Sequence, residues 1–472
     1  MPKDRTRFVC QSCGAPHPKW SGRCDACGEW NTLVEEVAEA RGPGPAAKTG
    51  GGRKVEFVGL KGSSPPPARL ATGLDELDRV LGGGFVPGSA VLVGGDPGIG
   101  KSTILLQAAA RIAAGGRRAL YVSGEEAVEQ VRLRAARLGL AEGADGAFGL
   151  AAATGLRDIA ASLESERDAA LVVMDSIQTV WLDALDSAPG TVSQVRACAA
   201  ELIRLAKTRG FALVLVGHVT KEGTLAGPRV LEHMVDATLY FEGDRGHQFR
   251  ILRAVKNRYG ATDEIGVFEM TEGGLVEVAN PSALFLAERR GNISGSAVFA
   301  GLEGTRPVLV EVQALLAPSA GGSPRRQVVG WDGGRLSMLL AVLESRCGLT
   351  FAQADVYLNI AGGLRINEPA ADLAVAAALV SAMTDRPTAP DSVYFGEVGL
   401  SGEVRQVAQA ESRLREARKL GFGAAVLPRR VARGQKPPAP IEGLTLDEIG
   451  HLADLVAPFA AQTVKKKERK EA

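Results

Sequence analysis

Eight consecutive residues have the types and the spacing of a loop that binds the phosphates of a nucleotide. They fit the pattern G-x-x-x-x-G-K-[ST] and are Gly95, Asp96, Pro97, Gly98, Ile99, Gly100, Lys101 and Ser102, with Thr103 directly after them. Glycines at these positions let backbone N–H groups turn toward phosphate oxygens. We expect Lys101 to reach the β- and γ-phosphates and the Ser102 hydroxyl to hold Mg²⁺. The pattern predicts that the chain binds a nucleoside triphosphate.

Acidic residues suited to the hydrolysis of such a nucleotide follow two apolar runs further along the chain. Asp175 comes directly after the run 171–174 and fits the carboxylate that orders the Mg²⁺ shell. Glu125 and Glu126 come shortly after the run 120–122. A carboxylate near the γ-phosphate can take a proton from the attacking water. We favour Glu125 as this general base, and Glu126 remains the alternative.

Four of the six cysteines form two closely spaced pairs near the start of the chain. They are Cys10, Cys13, Cys24 and Cys27, in the pattern C-x2-C, ten residues, C-x2-C. In a cytosolic protein this spacing is typical of a structural Zn²⁺ site rather than of disulfides. Few apolar residues surround the cysteines, so we expect the metal to stabilise this unit. Cys198 and Cys347 are isolated, and we expect both to be buried thiols.

The phosphate loop and the acidic residues need a common scaffold, and the apolar pattern indicates one. Apolar runs at 90–93, 120–122, 171–174 and 213–216 alternate with segments of helical pattern. Continuous apolar runs are typical of strands buried on both faces in a parallel sheet. Ligands of such sheets bind beyond the carboxyl ends of the strands. The sequence therefore predicts an α/β domain in which these polar residues meet at one edge of the sheet.

Composition places the chain among soluble globular proteins. Its 472 residues carry a formal net charge of +1, with 45% hydrophobic and 23% charged residues. A net charge this small does not indicate nucleic-acid binding by the chain as a whole, so any surface that binds nucleic acid must be a local basic patch. No apolar run is long enough to span a bilayer, and the first residues lack the apolar stretch of a signal peptide. We expect a cytoplasmic protein with no membrane partner.

Changes in composition divide the chain into five segments. Residues 38–68 are rich in Ala, Gly, Pro and Ser and predict a linker. A second boundary is expected near residue 282, beyond which β-rich runs such as 307–313 precede an alanine-rich helical stretch from Ala370 to Met383. The predicted segments are a cysteine-containing unit at 1–37, the linker at 38–68, the nucleotide-binding domain at 69–282, a C-terminal domain at 283–460 and a basic tail at 461–472.

Several motifs beyond the phosphate loop resemble those of one family. They are LGGG at 81–84, GHVTKEG at 217–223, GPRVLEHMVD at 227–236 and KNRYG at 256–260. With the cysteines, they are similar to the bacterial RadA/Sms family of DNA-repair proteins, which are RecA-family ATPases, and the similarity covers essentially the whole chain. Tyr259 replaces the phenylalanine of that family's KNRFG motif and keeps an aromatic ring. The resemblance implies a zinc ribbon, a RecA-like ATPase core with a parallel sheet, and an α+β Lon-protease-like C-terminal domain.

The resemblance also implies an activity. It predicts a DNA-dependent ATPase of homologous recombination, a homohexameric ring that drives branch migration of branched intermediates on single-stranded DNA alongside the RecA recombinase. ATP, Mg²⁺ and Zn²⁺ are the implied cofactors. Each nucleotide of such a ring lies between subunits, so we expect Lys256 and Arg258 to act on the neighbour's ATP, with a DNA-contacting turn as the alternative. The loops 179–194 and 221–229 would line the channel, and His218 is placed to sense the γ-phosphate.

The C-terminal segment resembles the Lon protease domain at 367–374 and 396–403. In the peptidase a serine nucleophile follows the proline, whereas this chain has Ala370 there, and no lysine base stands within 409–413. Alanine has no oxygen with which to attack, so the resemblance implies a Lon-like fold without peptidase activity. Ring formation or DNA contact is expected instead. Candidates for a basic surface are Arg289, Arg290, Arg325, Arg326, Arg335 and Arg365.

Three other functions remain as alternatives. A replicative helicase of the DnaB type shares the ATPase core, but the zinc ribbon and the Lon-like domain disfavour it. Ala370 disfavours an ATP-dependent protease. A nucleotide-gated signalling or clock ATPase is the third, and stimulation of hydrolysis by single-stranded DNA would separate it from a DNA motor.

Overall fold

The chain divides after Glu277 into two units, residues 1–277 and 278–472. The structure is a computed structural model. It describes residues 6–10, 15–26, 28–37, 68–140, 146–217, 229–243, 249–262, 264–286, 293–319, 324–429 and 441–459. Within these ranges, no helix is both long enough and apolar enough to cross a lipid bilayer.

The cysteine-containing segment forms a small antiparallel sheet. Its strands are β1 (Thr6–Cys10), β2 (Pro16–His17) and β3 (Leu33–Val37), in the order β2-β1-β3. Cys10 ends β1, and Cys24 begins a turn in which the Gly28 amide donates to the Cys24 carbonyl at 2.8 Å. Cys10 and Cys24 are buried in one cluster with Leu33. The two thiols therefore belong to the core of this unit.

A nine-stranded sheet forms the centre of the first unit. Its elements are α1 (Asp75–Leu81), β4 (Ala90–Gly95), α2 (Lys101–Ala114), β5 (Arg118–Ser123), α3 (Val128–Arg137), β6 (Phe148–Ala152), α4 (Leu156–Ser165), β7 (Ala169–Asp175), α5 (Val192–Arg209), β8 (Ala212–Val216), α6 (Arg229–Met234), β9 (Ala237–Glu242), β10 (Phe249–Asn257), β11 (Ile265–Thr271) and β12 (Gly274–Glu277). The strand order is β12-β11-β10-β9-β4-β8-β7-β5-β6. Neighbours from β9 to β6 are parallel, and β10, β11 and β12 are antiparallel.

Burial on both faces explains why these strands have continuous apolar sequences. In β4, Val91 and Val93 pack into one hydrophobic core, while Ala90 and Leu92 pack into a second core on the opposite face. Successive side chains of a strand point to opposite faces, so each face requires its own apolar set. The prediction of a buried parallel sheet is confirmed, and the four apolar runs are β4, β5, β7 and β8.

The second unit is built around a seven-stranded mixed sheet. Its elements are α7 (Pro281–Phe285), β13 (Ser296–Glu303), β14 (Arg306–Pro318), β15 (Arg326–Val329), α8 (Gly333–Cys347), β16 (Ala354–Ile360), α9 (Asp372–Thr384), β17 (Ser392–Tyr394), β18 (Glu397–Val398), β19 (Val404–Arg405), α10 (Ala410–Lys419), β20 (Ala424–Pro428) and β21 (Thr445–Ile449). The sheet order is β15-β16-β14-β13-β17-β20-β21, and β18 and β19 form a separate hairpin. Helix α9 is buried along most of its length, which its alanines permit by allowing close approach to β13 and β14.

Candidate nucleotide-binding and hydrolysis site

The predicted phosphate loop connects β4 to α2 and turns tightly at its glycines. Gly95 and Gly100 have φ angles of 145° and 118°, in a region that favours glycine. A Cβ on Gly95 would lie 2.5 Å from the carbonyl oxygen of Phe241, and one on Gly100 would lie 2.9 Å from Cε of Met270. The loop therefore needs glycine at both positions, for its backbone angles and for the neighbours that it contacts.

Lys101 begins α2 and folds back over the loop. Its Nζ donates to the carbonyl oxygens of Gly95 at 2.6 Å and Asp96 at 2.9 Å, and only 4% of the residue is exposed. Burial lowers the pKa of Lys101, an effect that the negative charges of Asp175, Asp96 and Glu125 oppose. Both hydrogen-bond acceptors are neutral, so the ammonium charge has no direct ion-pair partner among them. A buried cation held in this way suits a phosphate ligand.

Asp175 ends β7 beside the same loop and is held by a tyrosine. The phenol of Tyr121 on β5 donates to Oδ2 of Asp175 at 2.5 Å, and the Ser102 hydroxyl is close enough to the same phenol to influence its pKa. Burial and the adjacent Asp175 charge raise the pKa of Tyr121 well above its usual value, so the phenol stays neutral and donates. Ser102 and Asp175 together offer the hard oxygen ligands that Mg²⁺ prefers. The sequence analysis missed Tyr121, because a tyrosine within an apolar strand has the appearance of a core residue.

The two candidate general bases face different neighbours. The Ser176 hydroxyl donates to Oε1 of Glu125 at 2.6 Å, and Glu125 is near enough to Lys101 to affect its pKa. Glu126 instead forms an ion pair with Arg134 of α3. The structure thus brings Glu125 to the phosphate loop, whereas Glu126 is paired with a residue of the adjacent helix α3.

Lys256 and Arg258 lie near one end of the strands, and the phosphate loop of the same chain lies at the other end. Gly95 is in register with Phe241 of β9, whereas Asn257 and Val91 are both in register with Ala237. Four residues of strand separate these positions, roughly 13 Å at about 3.3 Å per residue. The structure therefore does not bring this basic pair to the chain's own phosphate loop.

Both cations of this pair are held by the segment around the end of α6. Lys256 Nζ donates to the carbonyl oxygens of Glu232 at 2.6 Å and Val235 at 2.8 Å. Arg258 contacts the buried carboxylate of Asp236 at 3.1 Å, although more than half of its side chain is exposed. Burial and the nearby Arg258 charge lower the pKa of Lys256. The carbonyl oxygens and the Asp236 carboxylate thus fix the position of the two basic side chains near the surface.

The motifs LGGG and KNRYG, which are far apart in sequence, pack against each other. The Asn257 amide donates to the carbonyl oxygens of Val80 and Leu81 at 3.3 and 3.4 Å, near the end of α1. A Cβ on Gly82 would lie 3.2 Å from Cα of Gly260, so the two backbones are in close contact. The glycines and the asparagine of these motifs therefore have a structural role in holding the basic pair.

A cleft of about 590 Å³ opens beside the phosphate loop. It is lined by Thr103, Arg137, Leu138, Met270, Thr271, Glu272, Gly273 and Gly274. The turn between β11 and β12 forms one wall and is fastened to α2 by the buried Gln107, whose side-chain amide accepts from the Leu275 N–H and donates to the Leu275 carbonyl, both at 3.0 Å. The cleft therefore lies between the start of α2, the end of α3 and the turn that joins β11 to β12.

The structure describes half of the predicted zinc site. Cys10 and Cys24 are buried, while Cys13 and Cys27 lie outside the described residues. Cys10 Sγ lies 3.1 Å from the Thr32 hydroxyl, and Cys24 Sγ lies 3.4 Å from Nε2 of His17. Two buried thiols with polar neighbours fit a zinc ribbon. Among the residues whose positions are described, no three His, Cys, Asp or Glu side chains are grouped to hold a metal.

The region that resembles the peptidase site is tightly packed. Ala370 is buried beside two charged pairs. The fully buried Arg413 forms an ion pair with Glu368, donates to the Ala300 carbonyl oxygen at 2.8 Å and lies 5.6 Å from the ring centroid of Phe395.

Two arginines expected on a basic surface are engaged within the fold. Arg335 is bonded to the buried Asp372, and Arg326 donates to the carbonyl oxygens of Ala354 at 2.6 Å and Phe351 at 3.0 Å. For Arg335 and Arg326 the expectation of solvent-facing cations is therefore wrong, because neither residue is fully exposed and both are hydrogen-bonded within the fold. Arg325 and Arg365 are exposed as expected.

Of the two isolated cysteines, only Cys198 is fully buried, and burial raises its pKa to about 12. Cys347 is partly exposed at the end of α8, so that prediction is wrong. His218, residues 221–228, Arg289 and Arg290 lie outside the described residues, and so does the side chain of Arg229. The channel loop 221–229 thus stays a prediction.

Three family models match the chain in the order that the sequence predicts. The rubredoxin metal-binding domain matches residues 8–35, the AAA domain matches 63–224, and subunit ChlI of Mg-chelatase matches 337–431. The fold and the site define a P-loop ATPase of RecA-like architecture that carries a zinc ribbon.

Full-length relatives are more specific. The DNA repair protein RadA of Brucella abortus is 59% identical over 99% of this chain and 100% of its own. The proteins of the same name from Rickettsia felis and Bacillus subtilis are 51% and 50% identical, over 96% and 94% of this chain and 99% and 96% of their own. The chain belongs to the RadA family of DNA repair proteins.

Proposed function

We propose that the protein is a DNA-dependent ATPase of recombinational repair that works as a homohexameric ring on single-stranded DNA. It drives branch migration of recombination intermediates formed by the RecA recombinase. Family membership and the RecA-like ATPase fold support the general activity. The observation that carries the ring is the separation of Lys256 and Arg258 from the phosphate loop of their own chain.

That separation has a direct consequence for assembly. Transfer of a phosphoryl group develops negative charge that a cation from a second subunit can stabilise, and such cations can contribute about 10³- to 10⁵-fold in rate. A chain with its phosphate loop at one end of the strands and its basic pair near the other end is suited to a head-to-tail interface, since the pair of one copy then faces the nucleotide of the next. Head-to-tail contacts close into rings when the rotation permits.

Each residue of the site has a role in this proposal. The N–H groups of the loop from Gly95 to Thr103 bind the phosphates, and Lys101 faces the β- and γ-phosphates. Ser102 and Asp175 hold Mg²⁺, which neutralises charge on the phosphates when it is bound. Glu125 accepts a proton from the attacking water, and Lys256 and Arg258 act on the neighbour's nucleotide.

The remaining segments support this work. Cys10, Cys13, Cys24 and Cys27 hold one Zn²⁺ in the ribbon at 1–37, the linker at 38–68 joins the ribbon to the ATPase domain at 69–282, and the domain at 283–460 is a scaffold without peptidase activity. We place the protein in the cytoplasm, where its DNA substrates are.

Mixed rings test the assignment of the basic pair. Lys101→Ala and Lys256→Ala should each abolish hydrolysis alone. In an equal mixture, about a quarter of the interfaces of a head-to-tail ring unite an intact phosphate loop with an intact neighbouring Lys256, so about a quarter of the activity should return. The matched control mixes Lys101→Ala with the double variant Lys101→Ala/Lys256→Ala, which has no intact loop. If labelled subunits exchange and the first mixture stays at the control level, the role in the neighbouring site is wrong.

DNA dependence needs a separate measurement. ATP hydrolysis by the full chain should rise several-fold on addition of single-stranded DNA, and the protein should extend a RecA-made joint molecule only while ATP is hydrolysed. A rate of ATP hydrolysis that does not change on addition of DNA would favour the signalling or clock ATPase. Unwinding of a forked duplex without recombinase would favour the replicative helicase.

A further inference from the structure

We propose that Ser176 is a positioning residue for the hydrolytic reaction, one that holds the Glu125 carboxylate ionised and aimed at the nucleotide. This inference rests on the proposed function, since it assumes that Glu125 is the general base. It concerns the buried hydroxyl that directly follows the predicted Mg²⁺ carboxylate in the chain, to which the sequence analysis gave no role.

The contact itself has the geometry of a strong hydrogen bond. Ser176 is fully buried, and its Oγ donates to Oε1 of Glu125 over 2.6 Å. Hydroxyl-to-carboxylate bonds of 2.5–2.7 Å belong to the charge-assisted class, which is roughly twice as strong as the neutral one. A donated hydrogen bond stabilises the charged form of an acid. The hydroxyl thus favours the ionised state of Glu125, which is the state that can accept a proton from water.

The backbone around both residues is fastened so that this bond has little freedom to move. The Gly124 amide donates to the Asp175 carbonyl oxygen at 2.7 Å, and the Thr179 hydroxyl donates to the Ser176 carbonyl oxygen at 2.8 Å. A Cβ on Gly124 would lie 1.9 Å from the Thr179 hydroxyl, so the two loops pack too closely for any side chain there. The fold therefore fixes the two backbone segments that carry donor and acceptor, and the bond from Ser176 orients the Glu125 carboxylate between them.

The charges around Glu125 leave room for such an effect. Lys101 at the start of α2 is close enough to interact with the negative charges of both Glu125 and Asp175. Glu126 in the same loop is neutralised by Arg134 of α3. Tyr121 of β5 is neutral and bonded to Asp175. Among these groups, Ser176 is the one that donates a hydrogen bond directly to the Glu125 carboxylate.

The test is the pH profile of kcat for Ser176→Ala. The loss of one hydrogen bond to a charged group should lower kcat roughly 10- to 100-fold and leave the KM for ATP within about twofold. The acid limb of the profile should move upward by about one pH unit, since Glu125 loses a bond that favours its charged form. The deficit should therefore be largest at low pH.

A matched control is available in the same loop. Ser123 is also buried, but its hydroxyl accepts from the Glu126 amide at 2.9 Å. Ser123→Ala makes the same chemical change at the neighbouring strand end and should leave the acid limb in place. In a Glu125→Gln background, Ser176→Ala should have no further effect on kcat, because there is no carboxylate left to position.

Three outcomes separate the possible failures. An unchanged profile for Ser176→Ala overturns the inference, and so does a fall in kcat that Ser123→Ala reproduces without any shift of the acid limb. If Glu125→Gln keeps its turnover while Glu126→Gln loses it, the general base in the proposed function is wrong, and that result does not depend on Ser176.

Discussion

Two regions of the molecule hold positive charge beside a motif that resembles a catalytic site, and they surround it with different partners. At the phosphate loop, Lys101 donates to two backbone carbonyl oxygens. In the C-terminal unit, Arg413 forms an ion pair with Glu368, and Arg335 forms one with Asp372. Both regions have charged side chains beside a buried helix or turn. In the C-terminal unit these cations form ion pairs with carboxylates, whereas Lys101 at the phosphate loop is hydrogen-bonded to carbonyl oxygens.

The difference distinguishes a charged group that is able to bind a ligand from a charged group that already has its partner within the fold. A cation bonded to neutral carbonyls retains net charge, and an arriving phosphate can replace weak partners with strong ones. A buried guanidinium paired with a carboxylate has no charge left to offer, and separating the pair would leave an uncompensated buried ion. By this criterion the ATPase site is open to an anion, whereas Arg413 and Arg335 of the C-terminal unit already have carboxylate partners.

The largest effect should come from Lys101. Lys101→Ala removes the cation that faces the β- and γ-phosphates, so hydrolysis should fall by at least roughly 10³-fold, while the fold stays intact because the replaced contacts are neutral. Steady-state ATP hydrolysis and circular dichroism measure the two quantities. Lys207→Ala changes an exposed lysine on α5 and is the control. It should leave both ATP hydrolysis and the circular dichroism spectrum unchanged. A Lys101 variant with normal turnover would end the distinction drawn between the two regions.

A second effect should be on stability alone. Arg413→Leu leaves Glu368 without its buried partner, and breaking such a pair costs about 3–5 kcal/mol in free energy of unfolding. Urea-dependent hydrogen exchange of α9 and α10 measures the loss. Arg415→Leu, on the same helix but exposed and paired with Glu411, should cost no more than about 0.5 kcal/mol.

The double variant Arg413→Leu/Glu368→Leu sharpens this result. Replacement of both partners by apolar residues of similar size removes the uncompensated charge, so part of the lost stability should return. Equal destabilisation by Arg413→Leu and Arg415→Leu would mean that the buried pair is not what holds this region together.

Local patterns were sufficient for the elements and for much of the site. The glycine spacing of the phosphate loop and the apolar runs of β4, β5, β7 and β8 are properties of neighbouring residues, and strand direction then brings Asp175 and Glu125 to the loop. These features need no knowledge of which distant segments meet.

Long-range pairs could not be predicted in this way. Tyr121 and Asp175 are 54 residues apart, Gln107 and Leu275 are 168 apart, and Arg413 and Glu368 are 45 apart. Each pair depends on the order of strands in a sheet, which hydrophobic periodicity does not determine. Arg335 shows the resulting error, since its sequence neighbours suggest a surface cation and only the fold brings it to the buried Asp372.

The smallest effect is predicted for the reversal of the missing nucleophile. Ala370→Ser restores a hydroxyl to the position where the peptidase has its serine. Casein degradation should stay at background and ATP hydrolysis should be unchanged. A buried hydroxyl without a partner should lower the free energy of unfolding by about 1 kcal/mol, and Ala374→Ser, an equally buried change on α9, should behave alike.

The reason lies in the base rather than in the nucleophile. A serine attacks only after a neighbouring group takes its proton. The cations near this segment are Arg335 and Arg413, and a guanidinium is not deprotonated in proteins, so neither can serve as that group. The hydrogen bonds of Arg413 to Glu368 and to the Ala300 and Ala408 carbonyl oxygens also hold it in place. Peptide hydrolysis by Ala370→Ser, absent from Ala374→Ser, would show that a proton acceptor is present and that these charges are not purely structural.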